Sequence, residues 1–326
     1  MRNSIKQVRM AMFACAFSLF GNAIAAQFPS GPVTIVVGVP PGSSTDSVAR
    51  ILGEKLSTEW GQSIIIENKP GVGASLAPAQ VKRAKPDGHT LVLSATAPMN
   101  INPFVYANLS YDPLTDFEYI GQTTWLPYLL VTNKKKGLDS FARLISYAKS
   151  HPGSLTFASL GAGTTSHLIM AMLMNKTGTL MTHVPYKGSS QAQTDVIGGN
   201  VDLTFDTLVS TMPHVQQGRL NAIAVSTEQR AQLASDVPTI QESGVADFNV
   251  GAWLGLFAPK GTPVDVLDKI HADLNRALKD PVVHKKLEAL GTEVVTSPSR
   301  AAFQKMVEDN YRMWGDTAKA VGVAKQ

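Results

Sequence analysis

Two clusters of small hydroxyl and glycine residues carry the chemistry this chain can offer. One is Gly42-Ser43-Ser44-Thr45-Asp46. The other is Gly163-Thr164-Thr165, with His167 two places on. The first follows the apolar, β-branched run Val33 to Val37, which has the pattern of a strand buried on both faces. Gly38, Pro40, Pro41 and Gly42 then break the chain, and Ser43 to Asp46 are helix-capping types ahead of the helical run Val48 to Leu52. A helix start leaves backbone N–H groups unpaired and carries the positive end of the helix dipole. These residues serve an ordinary capped turn equally well. If they hold a ligand, it is an anion, most simply a carboxylate.

Other chemistries find little support. None of the seven histidines pairs with another at metal-ligand spacing, and no EF-hand loop, Walker lysine motif or GxSxG elbow occurs. Gly71-Val72-Gly73 and Gly161-Ala162-Gly163 begin like dinucleotide loops, but the third glycine is missing from both. Ser166 beside His167 resembles a hydrolase pair, yet adjacent helical residues point about 100° apart. No cofactor and no metal is expected, and His167 reads as a packed histidine or a ligand contact. Asp206, at a strand end, reads either as a turn cap or as a receiver for an amine or a protonated acid.

The elements that must position these residues alternate. Strands at Ser63 to Glu67 and His89 to Leu93 are separated by a helix over Ala74 to Arg83, and the polar loop Ser94 to Asn100, with Thr96, follows the third strand. Tyr119 to Gln122 and Tyr128 to Val131 are predicted as strands. The second half repeats the pattern. A helix spans Ser140 to Ser150, and a strand, Leu155 to Ser159, leads into the second glycine cluster and a helix over His167 to Asn175. Strands at Met181 to Pro185 and Val201 to Phe205 follow, with the loop Tyr186-Lys187-Gly188 opening a helix over Gln191 to Ile197. Leu220 to Val225 is another strand, Val250 to Pro259 an apolar return, and Pro263 to Ala320 is mostly helical. Alternating strands and helices predict an α/β protein of parallel units. The expected architecture is two doubly wound, Rossmann-like domains around a central cleft. Residues 27–126 and 250–326 form one, 127–249 the other, with hinges near Trp125 to Leu129 and Asn249 to Trp253. Ligands in such folds bind beyond the carboxyl ends of strands, where these polar loops stand.

Residues 1–26 are expected to be a signal peptide. Arg2, Lys6 and Arg9 precede the apolar run Met10 to Phe20, and Ala23-Ile24-Ala25-Ala26 offers cleavage after Ala25 or Ala26. The single cysteine, Cys15, leaves with that leader, so a mature chain has neither disulfide nor thiol chemistry. A periplasmic location follows. The formal net charge of +4 drops to +1 once the three leader cations are subtracted, and no basic stripe with interleaved aromatics appears, so nucleic acid is not an expected partner. A monomer is expected. Two helix ends facing across a cleft suit a short anion: each contributes about 0.3–1 kcal/mol, and each N–H bond to a carboxylate about 1.5–3. Micromolar to nanomolar affinity, about 8–12 kcal/mol, is then reachable without an arginine.

Linked stretches also carry a resemblance. Pro41-Gly42-Ser43-Ser44-Thr45-Asp46-Ser47-Val48-Ala49-Arg50, Glu67-Asn68-Lys69-Pro70-Gly71, Pro86-Asp87-Gly88-His89-Thr90-Leu91, Tyr111-Asp112-Pro113, Gly163-Thr164-Thr165-Ser166-His167-Leu168, Val184-Pro185-Tyr186-Lys187-Gly188 and Asp236-Val237-Pro238-Thr239 occur in this order. From Pro32 to Val321 the chain resembles the Bug family, the periplasmic solute receptors of tripartite tricarboxylate transporters. The resemblance implies a non-enzymatic Venus-flytrap receptor for a di- or tricarboxylate, an acidic amino acid or an aromatic acid. It also implies delivery to the membrane permease subunits; a sensor passing the same ligand signal to a membrane regulator is the alternative. The family's ligand contacts map onto Pro41 to Asp46 and Gly163 to Thr165, with Tyr186, Lys187 and Gly188 flanking. Ser43 stands where the family usually has a glycine and Val39 where it has an aromatic residue, which implies a ligand of different size or polarity.

Overall fold

The computed structural model describes residues 28–320, with 322 and 325. The expected leader, Cys15 and the cleavage site lie outside the described residues. The chain opens with β1 (Val33–Val37), α1 (Ser44–Trp60), β2 (Ile64–Asn68), α2 (Leu76–Val81) and β3 (Thr90–Ala95). β1 pairs in parallel with β2 on one side and β3 on the other. A wide helical turn, Ala97–Ile101, leads into the short α3 (Asn102–Val105), and β4 (Phe117–Thr132) follows. The second half contains α4 (Phe141–Ser150), β5 (Thr156–Ser159), α5 (Thr165–Thr177), β6 (Thr182–Pro185), α6 (Ser189–Gly198), β7 (Leu203–Thr207), α7 (Leu208–Gln216) and β8 (Asn221–Val225). The chain returns along β9 (Gly251–Pro259) and ends with α8 (Val264–Lys279), α9 (Pro281–Glu288), β10 (Glu293–Val294) and α10 (Arg300–Ala320).

The strands form one sheet in the order β2-β1-β3-β9-β4-β7-β5-β6, with β8 and β10 also on β4. The same order is built twice. In the first half three parallel strands (β2, β1, β3) are followed by antiparallel β9 and then β4. In the second, β6, β5 and β7 are followed by antiparallel β4 and then β8. Each half thus completes its sheet with a strand that crosses from the other. The crossings lie side by side: Pro127 pairs with Gly251, and the next residue, Tyr128, pairs with Thr207. This is the α/β architecture expected from the alternation of elements.

The cores fill both faces of each half. Val33, Ile35, Val48, Leu52, Leu91 and Leu274 pack on one face of the first half, and Phe117, Tyr119, Trp253, Phe257 and Phe303 on the other. In the second half Leu130, Phe157, Leu168, Leu173, Phe205 and Phe248 share a core with Ile101, Val105 and Trp314, which come from first-half elements. Helix α10 therefore serves both cores.

Several local expectations give way to tertiary packing. The predicted loop Ser94 to Asn100 is instead the end of β3 and the wide turn, because Asn100 is buried and its Nδ2 donates to the Val307 carbonyl of α10 (2.8 Å). The two predicted strands Tyr119 to Gln122 and Tyr128 to Val131 are one 16-residue strand, with register shifts at Tyr119/Gly121 and Gln122/Thr124. Helix α2 is shorter than the predicted Ala74 to Arg83, since Val72, Gly73 and Ala74 adopt positive φ, which no helix tolerates. Helix α7, holding Pro213, occupies a stretch with no predicted element.

Candidate functional site

Helix α1 starts as the sequence predicts, but its polar residues mostly serve one another. Ser43 is the N-cap, in extended backbone, and its Oγ accepts from the Asp46 N–H. The Asp46 carboxylate accepts from the Gly42 N–H, from Arg50 Nε and Nη2, and from Asn68 Nδ2, each at 2.9 Å. Arg50 above all, helped by these donors, lowers the Asp46 pKa to about 2. Asp46 is buried and acts as a brace across the turn, with its charge matched by Arg50. Asn68 Nδ2 also donates to the Val39 carbonyl, so the end of β2 is tied to the same loop. Gly42 lies at φ +82°, where a side chain is strained. The N–H groups of Ser44 and Thr45, at the first two helical positions, have no partner among the described residues. Replacing Asp46 by alanine is expected to cost about 2–3 kcal/mol in urea unfolding, since a buried acceptor for Gly42, Arg50 and Asn68 is lost. An unchanged midpoint would refute the bracing role.

Helix α5 starts differently. Thr164 is the N-cap, but its Oγ1 donates to the Gly161 carbonyl (2.7 Å) and makes no cap bond. Ser166 Oγ accepts from the Leu160 N–H (2.9 Å). The Gly163 N–H is taken by His167 Nδ1 (3.1 Å). The N–H groups of Thr165, Ser166 and His167 are left, and the first turn holds no acidic residue. Of the two helix starts, the second has more unmatched positive potential.

His167 is stacked on His183, with ring centroids 4.0 Å apart and an interplanar angle of 14°, and Phe157 stacks beyond. Ser159, at the end of β5, bonds His183 Nε2 (2.6 Å) and the Gly161 carbonyl. Burial first, and the neighbouring His183 second, lower the His167 pKa to about 4; burial lowers that of His183 as well. Both imidazoles are therefore neutral in the native state near pH 7, as the Gly163 bond to Nδ1 requires. The unfolded chain takes up these protons at about pH 6.5, so their contribution to stability is complete above that value and is lost as pH falls from 6.5 toward 4. Urea midpoints are expected to drop between pH 7 and pH 5, with a shallower drop for His167→Gln. Equal slopes in the two proteins would overturn this.

The other predicted residues divide. Ser94 and Thr96 are buried, and Thr96 Oγ1 accepts from the Trp253 N–H (2.8 Å). Together with Asn100 they stitch β3 and the wide turn to β9 and α10. Tyr186 turns its hydroxyl to Asp195 (2.6 Å), and Lys187 is exposed. Gly188 caps α6 with its backbone alone. Asp206 is 1% exposed and already matched: Ser189 Oγ and Gln193 Nε2 donate to Oδ2, and the Thr207 N–H to Oδ1 (2.7 Å). It ties β7 to the start of α6, and these donors leave it little capacity to receive an amine.

The glycine cluster of the second half rests on the first half. A Cβ on Gly163, at φ +75°, would lie 2.9 Å from Val105 Cγ2 of α3. Sequence reasoning missed Arg50 as counterion and Val105 as the seat for Gly163. A separate groove of about 640 Å³, bordered by Pro127, Leu208, Arg230, His284 and Thr292, includes none of the predicted residues. Among the described residues no cluster of three metal-ligating side chains exists, and no helix is long and apolar enough to cross a membrane.

Comparison with known proteins identifies the family and the fold. Residues 48–323 match the model of the tripartite tricarboxylate transporter family receptor. A protein encoded in the ttuE–ttuC′ intergenic region of Agrobacterium vitis is 38% identical over 265 residues, covering 81% of this chain and 76% of the relative. An R. palustris protein solved with adipate superposes with a TM-score of 0.77 at 33% identity, over 92% of this chain and 100% of that one. MatC from Rhodopseudomonas palustris, solved with bound malate, gives 0.72 at 33% identity, over 89% and 100%.

Proposed function

Because the chain belongs to the tripartite tricarboxylate transporter receptor family, we propose that it captures a small dicarboxylate in the periplasm and delivers it to the permease of a tripartite system. Receptors of this family bind solute and do not transform it, so the protein is a solute-binding receptor and not an enzyme. In this reading the leader directs export, and residues 27–126 with 250–326 close against 127–249 by a hinge at the paired crossings.

The observation that carries the ligand class is the pair of glycine-hydroxyl helix starts with spare N–H groups, Ser44 and Thr45 on α1 and Thr165 to His167 on α5. The one guanidinium at the α1 start is already engaged by Asp46. Backbone donors with neutral histidines suit an ionised carboxylate at each end of a short chain. The adipate and malate held by two structural neighbours are ligands of this kind.

The test is calorimetric titration of the purified mature protein with adipate, malate and other dicarboxylates, with native mass spectrometry of the protein as isolated. Dissociation constants of micromolar or below are expected. At a ligand concentration of 100 Kd the protein gains about 2.7 kcal/mol against unfolding. No binding by any carboxylate, or a chemically altered ligand, would overturn the reading.

A further inference from the structure

Two glycines with positive φ, Gly161 (+126°) and Gly163 (+75°), shape the turn that leads into α5. Glycine leaves many backbone conformations open, so the one that is used must be fixed from outside the turn. Side chains do this at both ends. The Gly163 N–H donates to His167 Nδ1 (3.1 Å). At Gly161 the fully buried Ser159 Oγ accepts from the N–H (3.1 Å) and donates to the carbonyl (3.0 Å). Ser159 Oγ also bonds His183 Nε2 at 2.6 Å. Serine has one proton, and with it given to the Gly161 carbonyl the His183 Nε2–H is the donor to Ser159.

His183 has no part in the ligand reading above. It comes from β6, the last strand of the sheet, 24 residues beyond Ser159. Its half-buried ring lies 4.0 Å from that of His167 and 4.9 Å from that of Phe157, with interplanar angles of 14° and 20°. It therefore touches both braces of the turn, Ser159 through a hydrogen bond and His167 through the stack.

We propose that His183 is a positioning residue: by bonding Ser159 it directs the serine hydroxyl onto Gly161, and so holds the turn in the shape that binds solute at the start of α5. The inference rests on the carboxylate-receptor reading above. The stack on His167 and Phe157 keeps the ring flat, with Nε2 toward Ser159. Without the histidine donor the serine hydroxyl is free to rotate, and Gly161 loses its fixed partner. Only the fraction of free receptor whose turn has the binding shape takes up solute, so loosening the turn lowers the apparent affinity by that fraction. Both imidazoles are neutral near pH 7, so the effect is one of shape and not of charge.

The test is calorimetry with adipate and with malate on three variants and their combination, together with thermal unfolding without ligand. His183→Phe keeps a flat ring for the stack and loses the bond to Ser159; it is expected to weaken binding about 3- to 10-fold. Ser159→Ala is expected to weaken it by a similar factor, and it carries the same test if His183→Phe does not fold. The double variant is expected to bind no more than twofold more weakly than the worse single one, because both changes cut one brace. His183→Gln, whose amide N–H reaches Ser159, is expected to return to within twofold of wild type. Affinity unchanged in both His183→Phe and Ser159→Ala overturns the proposal and leaves the receptor reading standing, whatever happens to the ligand-free midpoint. Fully additive losses in the double variant, or a glutamine variant as weak as the phenylalanine one, overturn it as well. If wild type binds neither acid nor any other carboxylate, the receptor reading itself falls, and this inference with it.

Discussion

Gly163→Ala is expected to destabilise the protein by about 2–3 kcal/mol and to weaken solute binding more than tenfold. Two costs add. The backbone at φ +75° lies in the left-handed region, where any residue with a Cβ is strained by about 1 kcal/mol. The added methyl also meets Val105 Cγ2 at 2.9 Å and Cγ1 at 3.0 Å, and Val105 is a buried, β-branched residue with little freedom to turn away. Relief of this overlap moves Gly163 off α3, and with it the helix start proposed above to meet the ligand. Val105→Ala in the same chain removes the steric part and leaves the backbone part. A double-mutant cycle by urea unfolding and calorimetry separates the two. Additive effects would show that Gly163 and Val105 are not coupled, and that the second half does not seat on α3.

Trp314→Ala is expected to cost about 3–5 kcal/mol, the largest effect of any single truncation considered for this chain. Trp314 is fully buried in the second-half core with Leu168, Leu173 and Phe205, while Phe303 and Val307 of the same helix are buried in the first-half core. The helix therefore bolts one half to the other. The indole Nε1 has no partner among the described residues, so it contributes no bond that phenylalanine would forfeit. Trp314→Phe is expected to cost much less than the alanine variant, since it removes volume without stranding a polar group. Equal losses in urea unfolding would contradict a purely packing role.

Local chemistry made the helix starts legible. The run of β-branched residues before Gly38, and the capping types after it, leave few alternatives to a strand followed by a helix, and β1 and α1 stand there. The same logic found β5, α5 and β9 nearly to the residue. It failed where a distant partner chose the conformation. Asn100 and Thr96 read as loop donors because they are polar, yet α10 and β9 bury them. Asp206 read either as a turn cap or as a receiver for an amine or a protonated acid because its side-chain donors, Ser189 and Gln193, lie 17 and 13 residues away in sequence. Arg50 went unnoticed because its role is its pairing with Asp46 one helical turn earlier, and Asp46 was read only as one of several capping types.

The amino-acid order by itself determined the alternation of strands and helices and the two glycine-hydroxyl turns, since each depends on neighbours a few residues apart. The tertiary structure decided which N–H groups those turns keep free and how the last helix serves both halves. These outcomes depend on contacts between segments far apart in the chain, and a hydrogen-bonding group's availability is known only once every competing partner has been placed.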